Sequence, residues 1–228
     1  MALNAKTIIE RNLLFRGLSQ KTIDRVAALA TRRTYDEDEI IFMRGDPGDA
    51  LLGVVTGRVR ISASRAGGKE VFLNIMEPGD AFGEIGLLDG SPRTAGATAM
   101  AKTELMILQR DAFMGLLRSE PQLAEHVIQL LCKRVRWTAE QMEDSALLTV
   151  PAKIAKRILS LASVHGRASP EGAKLAISQE ELAQFLGLSR QIVNQHLQAW
   201  RAKDWISLGR GSITLVNPKA LTSLTHQP

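Results

Sequence analysis

The residues best equipped for chemistry lie in one stretch, Gly83-Glu84-Ile85-Gly86-Leu87-Leu88-Asp89-Gly90-Ser91-Pro92-Arg93-Thr94-Ala95. Arg93 offers a fixed positive charge and a planar fork of donors that matches phosphate oxygens. Thr94 places a hydroxyl and a backbone N–H beside it. Glu84 would repel a phosphate, so it is expected to accept hydrogen bonds from a sugar hydroxyl or to pair with Arg93. Gly83, Gly86 and Gly90 permit close backbone approach and unusual φ angles. Between them, Ile85, Leu87 and Leu88 mark a short helical turn anchored in a core, and the free N–H groups of such a turn form an anion site. The chemistry implied is recognition of a small phosphate and a sugar hydroxyl.

A second set of recognition groups lies near the C-terminus. Ser178-Gln179-Glu180-Glu181 is a capping box that opens a helix with Leu182, Phe185 and Leu186 on one face. Gly187-Leu188 makes a tight turn, and Ser189 caps a second helix from Arg190 to about residue 202. Ile192, Val193, Leu197 and Trp200 are predicted to point inward, leaving Arg190, Gln191, Asn194, Gln195 and Gln198 outward. Arginine can grip guanine, and glutamine or asparagine can grip adenine, each through two hydrogen bonds. A hairpin over residues 204–216, with Arg210 at its Gly209-Arg210-Gly211 tip, completes a winged helix-turn-helix.

Charge agrees with this placement. Residues 151–228 carry ten Lys+Arg against four Asp+Glu, whereas residues 1–150 carry nineteen against twenty, so the net +5 belongs to the C-terminal third. A polyanion, nucleic acid first, is the expected partner there. The four histidines, His126, His165, His196 and His226, are scattered without metal-ligand spacing, and Cys132 is the single cysteine. One thiol excludes an intrachain disulfide framework, a multi-cysteine metal site and an iron–sulfur cluster held by this chain alone. No metal is expected. With no placed nucleophile–base pair either, an enzyme that turns over its ligand is not expected.

The elements that must position these groups follow from periodicity. The chain has 228 residues, 45% apolar and 23% charged, the balance of a soluble two-domain protein. It has neither a signal peptide nor an apolar run long enough to span a membrane, so a cytoplasmic location is expected. Two short helices are predicted over residues 7–30, around Ile8, Ile9, Leu13 and Leu14, then Ile23, Val26 and Leu29, with Ser19 capping the second. From Arg32 to Leu108, short β runs alternate with turns, including a hairpin tip at Ala66-Gly67-Gly68 and Pro-Gly-Asp turns at 47–49 and 78–80. Such spacing argues for a jelly-roll barrel, with both Pro-Gly-Asp turns as its corners. Residues 111–117 read as a helix, and Pro121 opens a long one to about Leu148. Its apolar stripe is Leu123, Val127, Leu130, Leu131, Val135, Met142 and Leu147, longer than one small roll can cover. Residues 145–151 form a hinge, with Thr149 capping the next helix and Pro151 in its first turn. Residues 166–173 read as a polar loop.

The run Phe82-Gly83-Glu84-Ile85-Gly86-Leu87-Leu88, followed by Gly90 and Pro92-Arg93-Thr94-Ala95, resembles the phosphate-binding cassette of cyclic-nucleotide-binding domains. With the long helix and the winged helix-turn-helix, nearly the whole chain is similar to the CRP/FNR family of transcription regulators. The resemblance implies an α+β fold: a cyclic-nucleotide-binding β-roll over residues 1–120, a dimerisation helix over 121–148, and a winged DNA-binding domain over 149–228. It implies that Gly83, Glu84 and Ile85 meet the ribose and backbone, and that Arg93 and Thr94 hold the cyclic phosphate. In cAMP-responsive members a Thr-Ser pair on the long helix reaches adenine, one hydroxyl from each subunit; here the pair is Thr138-Ala139. Asn74 falls near the base pocket. The implied effector is cAMP, with a cGMP-responsive or dual regulator, or a ligand-independent or redox- or gas-sensing member, as alternatives. The implied partners are a second copy of the chain, double-stranded DNA with a near-palindromic site and, for an activator, RNA polymerase. For DNA the implied contacts are Gln179, Ser189, Arg190, Gln191, Asn194, Gln195 and Arg210. The family archetype reads a TGTGA-like half-site with Arg-Glu and a second Arg; Gln191 and Gln195 replace the latter two, which predicts a shifted readout.

Overall fold

The computed structural model describes residues 9–10, 12, 14–64 and 70–225, and the chain divides into two compact units, residues 1–135 and 136–228. In the first unit, helix α1 (Gln20–Leu29) starts at Ser19, whose hydroxyl accepts the Thr22 N–H at 3.2 Å. It buries Ile23 and Val26. Ile8 and Leu13 lie outside the described residues.

The chain then runs through β1 (Thr31–Tyr35), β2 (Ile40–Phe42), β3 (Ala50–Thr56), β4 (Val59–Ser64), β5 (Glu70–Met76), β6 (Ala81–Phe82), a short helix α2 (Glu84–Asp89), β7 (Gly96–Ala99) and β8 (Thr103–Gln109). The strands form two antiparallel four-stranded sheets, ordered β1-β8-β3-β6 and β2-β7-β4-β5. The predicted tip at Ala66-Gly67-Gly68 lies outside the described residues, between the paired strands β4 and β5. Alternation along β3 explains the layering, because successive side chains point to opposite faces. Leu52 and Val54 join Phe82, Leu105, Val59, Met76 and Ala97 between the sheets. Leu51 and Val55 join a second core with Leu87, Leu108, Phe113 and Leu116 under the helices. The roll therefore has a core on each side of β3, and both cores reach the segment around α2 through Phe82 and Leu87.

Helix α3 (Arg110–Ser119) packs Phe113 and Leu116 into the second core, and α4 (Pro121–Leu147) follows. The apolar stripe expected along α4 splits in two. Leu123 and Val127 are buried against the roll, with Leu130 and Leu131 partly so. Ile128, Val135 and Met142, spaced by seven, are 60%, 68% and 70% exposed. The division between compact units falls inside α4, between Val135 and Arg136.

In the second unit, α5 (Val150–His165) begins after Thr149, whose side chain makes no capping bond, with Pro151 in the first turn. Three cations of α5 hold the last turns of α4. Lys153 Nζ donates to the Ser145 carbonyl at 2.9 Å, Lys156 pairs with Asp144 at 2.5 Å, and Arg157 donates to Gln141 Oε1. Burial holds the Arg157 guanidinium below its ordinary pKa, an effect the charge of Asp144 opposes. The residues expected to form a polar loop are instead a hairpin, β9 (Arg167–Ser169) and β10 (Gly172–Leu175). Its short strands carry little apolar signal because they lean on the wing.

The helix-turn-helix comprises α6 (Gln179–Leu186) and α7 (Arg190–Arg201). Arg157 also lies over the Phe185 ring of α6, 5.4 Å from its centroid. The wing is β11 (Ile206–Gly209) and β12 (Ser212–Leu215), joined to β9 and β10 in one sheet ordered β11-β12-β10-β9. A last helix, α8 (Pro218–Thr225), packs along α5 and buries Leu221. Among the described residues, no helix is long and apolar enough to cross a membrane.

Candidate functional site

The expected cassette is one compact structure at the edge of the roll. Gly83 adopts φ +80° at the start of α2 and Gly90 φ +75° at its end, both left-handed values that favour glycine. Leu87 anchors the helix in the core, while Ile85 is 42% exposed and Thr94 is exposed. Arg110 Nε donates to the Leu87 carbonyl at 2.8 Å and so secures the C-terminal end of α2.

Arg93 is the centre of the site. Its side chain is only 5% exposed, and among the described residues its carboxylate partner is the exposed Asp49 at 3.7 Å. Nη1 donates to the Gly83 carbonyl and Nη2 to the Ala50 carbonyl, both at 2.8 Å. The Phe42 ring covers one face of the guanidinium, 4.5 Å from centroid to Cζ. Nε is buried and has no hydrogen-bond partner. Burial pulls the Arg93 pKa below its ordinary value, and the charges of Asp49, Glu84 and Asp46 oppose that pull. A buried donor left unmatched costs about 1–3 kcal/mol, which an anionic acceptor at Nε would remove.

Glu84 is buried at 4% exposure, and its carboxylate pairs with Arg134 of α4, Nε to Oε1 at 3.3 Å. Of the two roles open to Glu84 in the sequence, the ion pair is thus realised with a different arginine. Arg134 Nη2 also donates to the Ala81 carbonyl at 3.2 Å. Arg134 was not singled out in the sequence, although it lies one helical turn before Thr138 and so shares its face. The Pro-Gly-Asp turn at 47–49 is more than a corner. A Cβ on Gly48 would lie 2.5 Å from the Ser91 carbonyl oxygen and 2.6 Å from the Gly86 carbonyl carbon, so this backbone packs directly on the cassette. The adjoining turn clasps Arg93, whose N–H donates to the Asp46 carbonyl at 2.8 Å while Gly45 N–H donates to the Arg93 carbonyl at 2.9 Å.

Asn74 sits beside a register shift between β4 and β5, and its Oδ1 accepts the Ile75 N–H at 2.9 Å. That local bond gives the side chain a structural task. Thr138 and Ala139 are exposed on α4 within the second unit.

In the second unit the capping box is complete, with Ser178 Oγ accepting the Glu181 N–H at 3.1 Å and Glu181 Oε2 accepting the Ser178 N–H at 2.7 Å. Gly187 takes φ +64° at the turn, and Ser189 Oγ accepts the Ile192 N–H at 3.3 Å. Val193, Leu197 and Trp200 are buried as expected, whereas Ile192 is 39% exposed. The outer face of α7 shows Arg190, Gln191 and Gln195 exposed and Asn194 half-buried, with Gln198 Nε2 donating to Asn194 Oδ1 at 3.3 Å. Gln179, Arg190 and the wing residues Gly209 and Gly211, which flank Arg210, line one cleft. Among the described residues, no group of three or more His, Cys, Asp or Glu could hold a metal ion.

Comparison with known proteins agrees with this architecture. Residues 32–120 match the cyclic nucleotide-binding domain family, and residues 152–224 match the Crp-like helix-turn-helix domain family. The CRP-like cAMP-activated global transcriptional regulator of Mycobacterium tuberculosis is 31% identical over 218 residues, covering 94% of this chain and 96% of that protein. The cyclic AMP receptor protein of Thermus thermophilus is 32% identical over 200 residues, covering 88% and 90%. A solved structure of the c-di-GMP-responsive global regulator CLP of Xanthomonas campestris superposes with a TM-score of 0.77 at 25% identity, covering 86% of this chain and 99% of that one. With a cyclic-nucleotide cassette in one unit and a winged helix-turn-helix in the other, and with these likenesses running through nearly its whole length, the chain belongs to the CRP/FNR family of transcription regulators.

Proposed function

We propose that the protein is a cytoplasmic, cAMP-dependent homodimeric regulator in which the nucleotide binds the Gly83–Thr94 cassette and shifts the dimer to a DNA-binding arrangement. The observation that carries this reading is Arg93, a buried cation with an unpartnered Nε beside the buried carboxylate of Glu84. Arg93 and Thr94 hold the cyclic phosphate, and Gly83, Glu84 and Ile85 take the ribose side. The likeness to the cAMP-activated regulator of Mycobacterium tuberculosis and to the cyclic AMP receptor protein of Thermus thermophilus supports that effector. Thr138 contributes to base selection, with Asn74 assisting. Ala139, where cAMP-responsive members carry serine, favours a second reading in which cGMP is also accepted. The seven-residue spacing of the exposed Ile128, Val135 and Met142 supports a seam between two copies of α4.

Each copy presents α7 to a major groove, with half-sites about 34 Å apart on a near-palindromic site. Arg190 reads a guanine; Gln191, Asn194 and Gln195 shift the flanking preference toward A·T pairs; Ser189, Gln179 and Arg210 meet the backbone. An activator of this kind would also touch RNA polymerase. The nucleotide shifts the equilibrium only by its differential affinity for the two arrangements.

The test is DNA binding across a half-site library with cAMP, with cGMP and without ligand, for wild type and Arg93→Ala. Wild type is expected to bind tightly only with nucleotide, and Arg93→Ala to lose both nucleotide affinity and the ligand effect. Full ligand dependence in Arg93→Ala would remove the assignment of the site, and selection of an unchanged TGTGA half-site would remove the assignment of the readout.

A further inference from the structure

Phe42 is 49 residues from the end of the Ser91 turn that precedes Pro92-Arg93, on a different strand from every residue of the cassette motif. We propose that Phe42 is a positioning residue for phosphate recognition, its ring holding the Arg93 guanidinium in the orientation that the cassette presents to an anion. This inference rests on the reading that the cassette binds a cyclic nucleotide.

Four observations fix the geometry. The ring lies 4.5 Å from Arg93 Cζ, within the range of a cation–π contact. The ring is itself braced by Phe82, 6.0 Å between centroids and tilted by 37°, and Phe82 immediately precedes Gly83. The backbone of Phe42 is paired with Ala97 of β7, so the ring stands on a strand rather than a loop. Finally, the two Nη atoms end on the Gly83 and Ala50 carbonyls, which leaves Nε as the unpartnered donor.

The physical reason for an aromatic ring here is that a buried cation needs stabilisation that does not compete with its ligand. A close carboxylate would cancel the charge and would have to be displaced by the phosphate. Among the described residues the carboxylate that pairs with the head group is Asp49, whose side chain is 71% exposed and 3.7 Å away, a weakly coupled pair, while the Glu84 carboxylate is engaged by Arg134. A π face attracts the guanidinium through its quadrupole and occupies a direction from which no hydrogen bond is made. The charge is therefore left uncancelled by the ring, while the orientation is held.

The test uses the full chain with cAMP and cGMP as probes, and compares wild type with Phe42→Leu, Phe42→Met and Phe42→Tyr. Phe42→Tyr keeps the π face, whereas leucine and methionine fill the space without it. Calorimetry should show nucleotide affinity weakened about 2- to 30-fold in the leucine and methionine variants, the span of cation–π strengths, and kept within about twofold in Phe42→Tyr. A purely apolar packing role predicts that Leu and Met bind like wild type, and that result overturns the proposal. Arg93 Nε–Hε, identified in a nitrogen–proton spectrum by its loss in Arg93→Lys, supplies a readout that needs no nucleotide. Its ring-current shift should persist in Phe42→Tyr and vanish in Phe42→Met; an unchanged resonance in Phe42→Met overturns the proposal. If neither nucleotide binds wild type while the resonance behaves as expected, the reading of the site fails but the positioning of Arg93 by Phe42 stands. Melting temperatures of the four proteins identify any variant that fails to fold, and the remaining apolar variant then decides.

Discussion

Gly83 and Gly17 share the same backbone angle, φ +80°, but differ in what surrounds them. A Cβ on Gly17 would meet nothing within 4 Å, whereas one on Gly83 would lie 2.5 Å from Arg93 Nη1 and 3.2 Å from the Ala50 carbonyl oxygen. Substituting alanine at either position pays the left-handed cost, about 1–2 kcal/mol. Only Gly83→Ala also drives the guanidinium off the Gly83 carbonyl, breaking a 2.8 Å bond. Hydrogen bonds to charged groups are worth about 1.5–3 kcal/mol, so Gly83→Ala should be less stable than Gly17→Ala by that amount. In thermal unfolding the gap corresponds to roughly 5–12 °C for a unit of this size. A guanidinium displaced from its anchors should also lose one charged contact with the phosphate, weakening cAMP binding roughly 10- to 150-fold, while Gly17→Ala binds as wild type. Urea titration and calorimetry on both variants measure the two effects. Equal stability and equal affinity in the two variants would refute the argument that Gly83 exists to admit Arg93.

Two further outcomes follow from the ion pairs. Removing Arg134 or Glu84 singly, as Arg134→Met or Glu84→Gln, should each destabilise the N-terminal unit, and the double variant should reveal a coupling of about 0.5–3 kcal/mol in a denaturation cycle; additive losses would mean that the 3.3 Å pair contributes nothing measurable. In the C-terminal unit, Arg157→Met should cost about 1.5–3 kcal/mol, because it leaves a partly buried bond to Gln141 unmade, whereas Lys156→Ala should cost at most about 1 kcal/mol, its side chain being 44% exposed. Calorimetric melting of the two variants checks that order, and a reversed order would contradict the burial argument.

The elements that announce themselves in the sequence are those with local rules. Ser178 and Glu181 three positions apart in a capping box, Gly187 at a left-handed turn, and Ser19 and Ser189 as caps each specify their geometry within a few residues. The cassette was legible for the same reason, because its glycines, Glu84, Arg93 and Thr94 lie within twelve residues. What escaped notice depends on contacts across the roll. Phe42 and Gly48 reach the cassette because β2 and the turn after it fold back on α2, and no periodicity records that approach. Ile128 was missed because a heptad stripe and a core-facing stripe interleave on α4, so apolarity alone does not say which residues face the roll. The β9–β10 hairpin shows no apolar alternation in its sequence, since only Leu175 of its residues enters a core.

The division of compactness within α4 has a practical outcome for dissecting the protein. A cut at residue 148 would part Lys153, Lys156 and Arg157 from Ser145, Asp144 and Gln141, and a fragment beginning there would carry a desolvated arginine without its acceptor. A cut at 120 would strip Leu123 and Val127 from the roll and expose the core they seal. Fragments meant to fold independently should therefore be severed in mid-helix, near residue 135, where the chain is continuous in secondary structure and yet belongs to two separate packings.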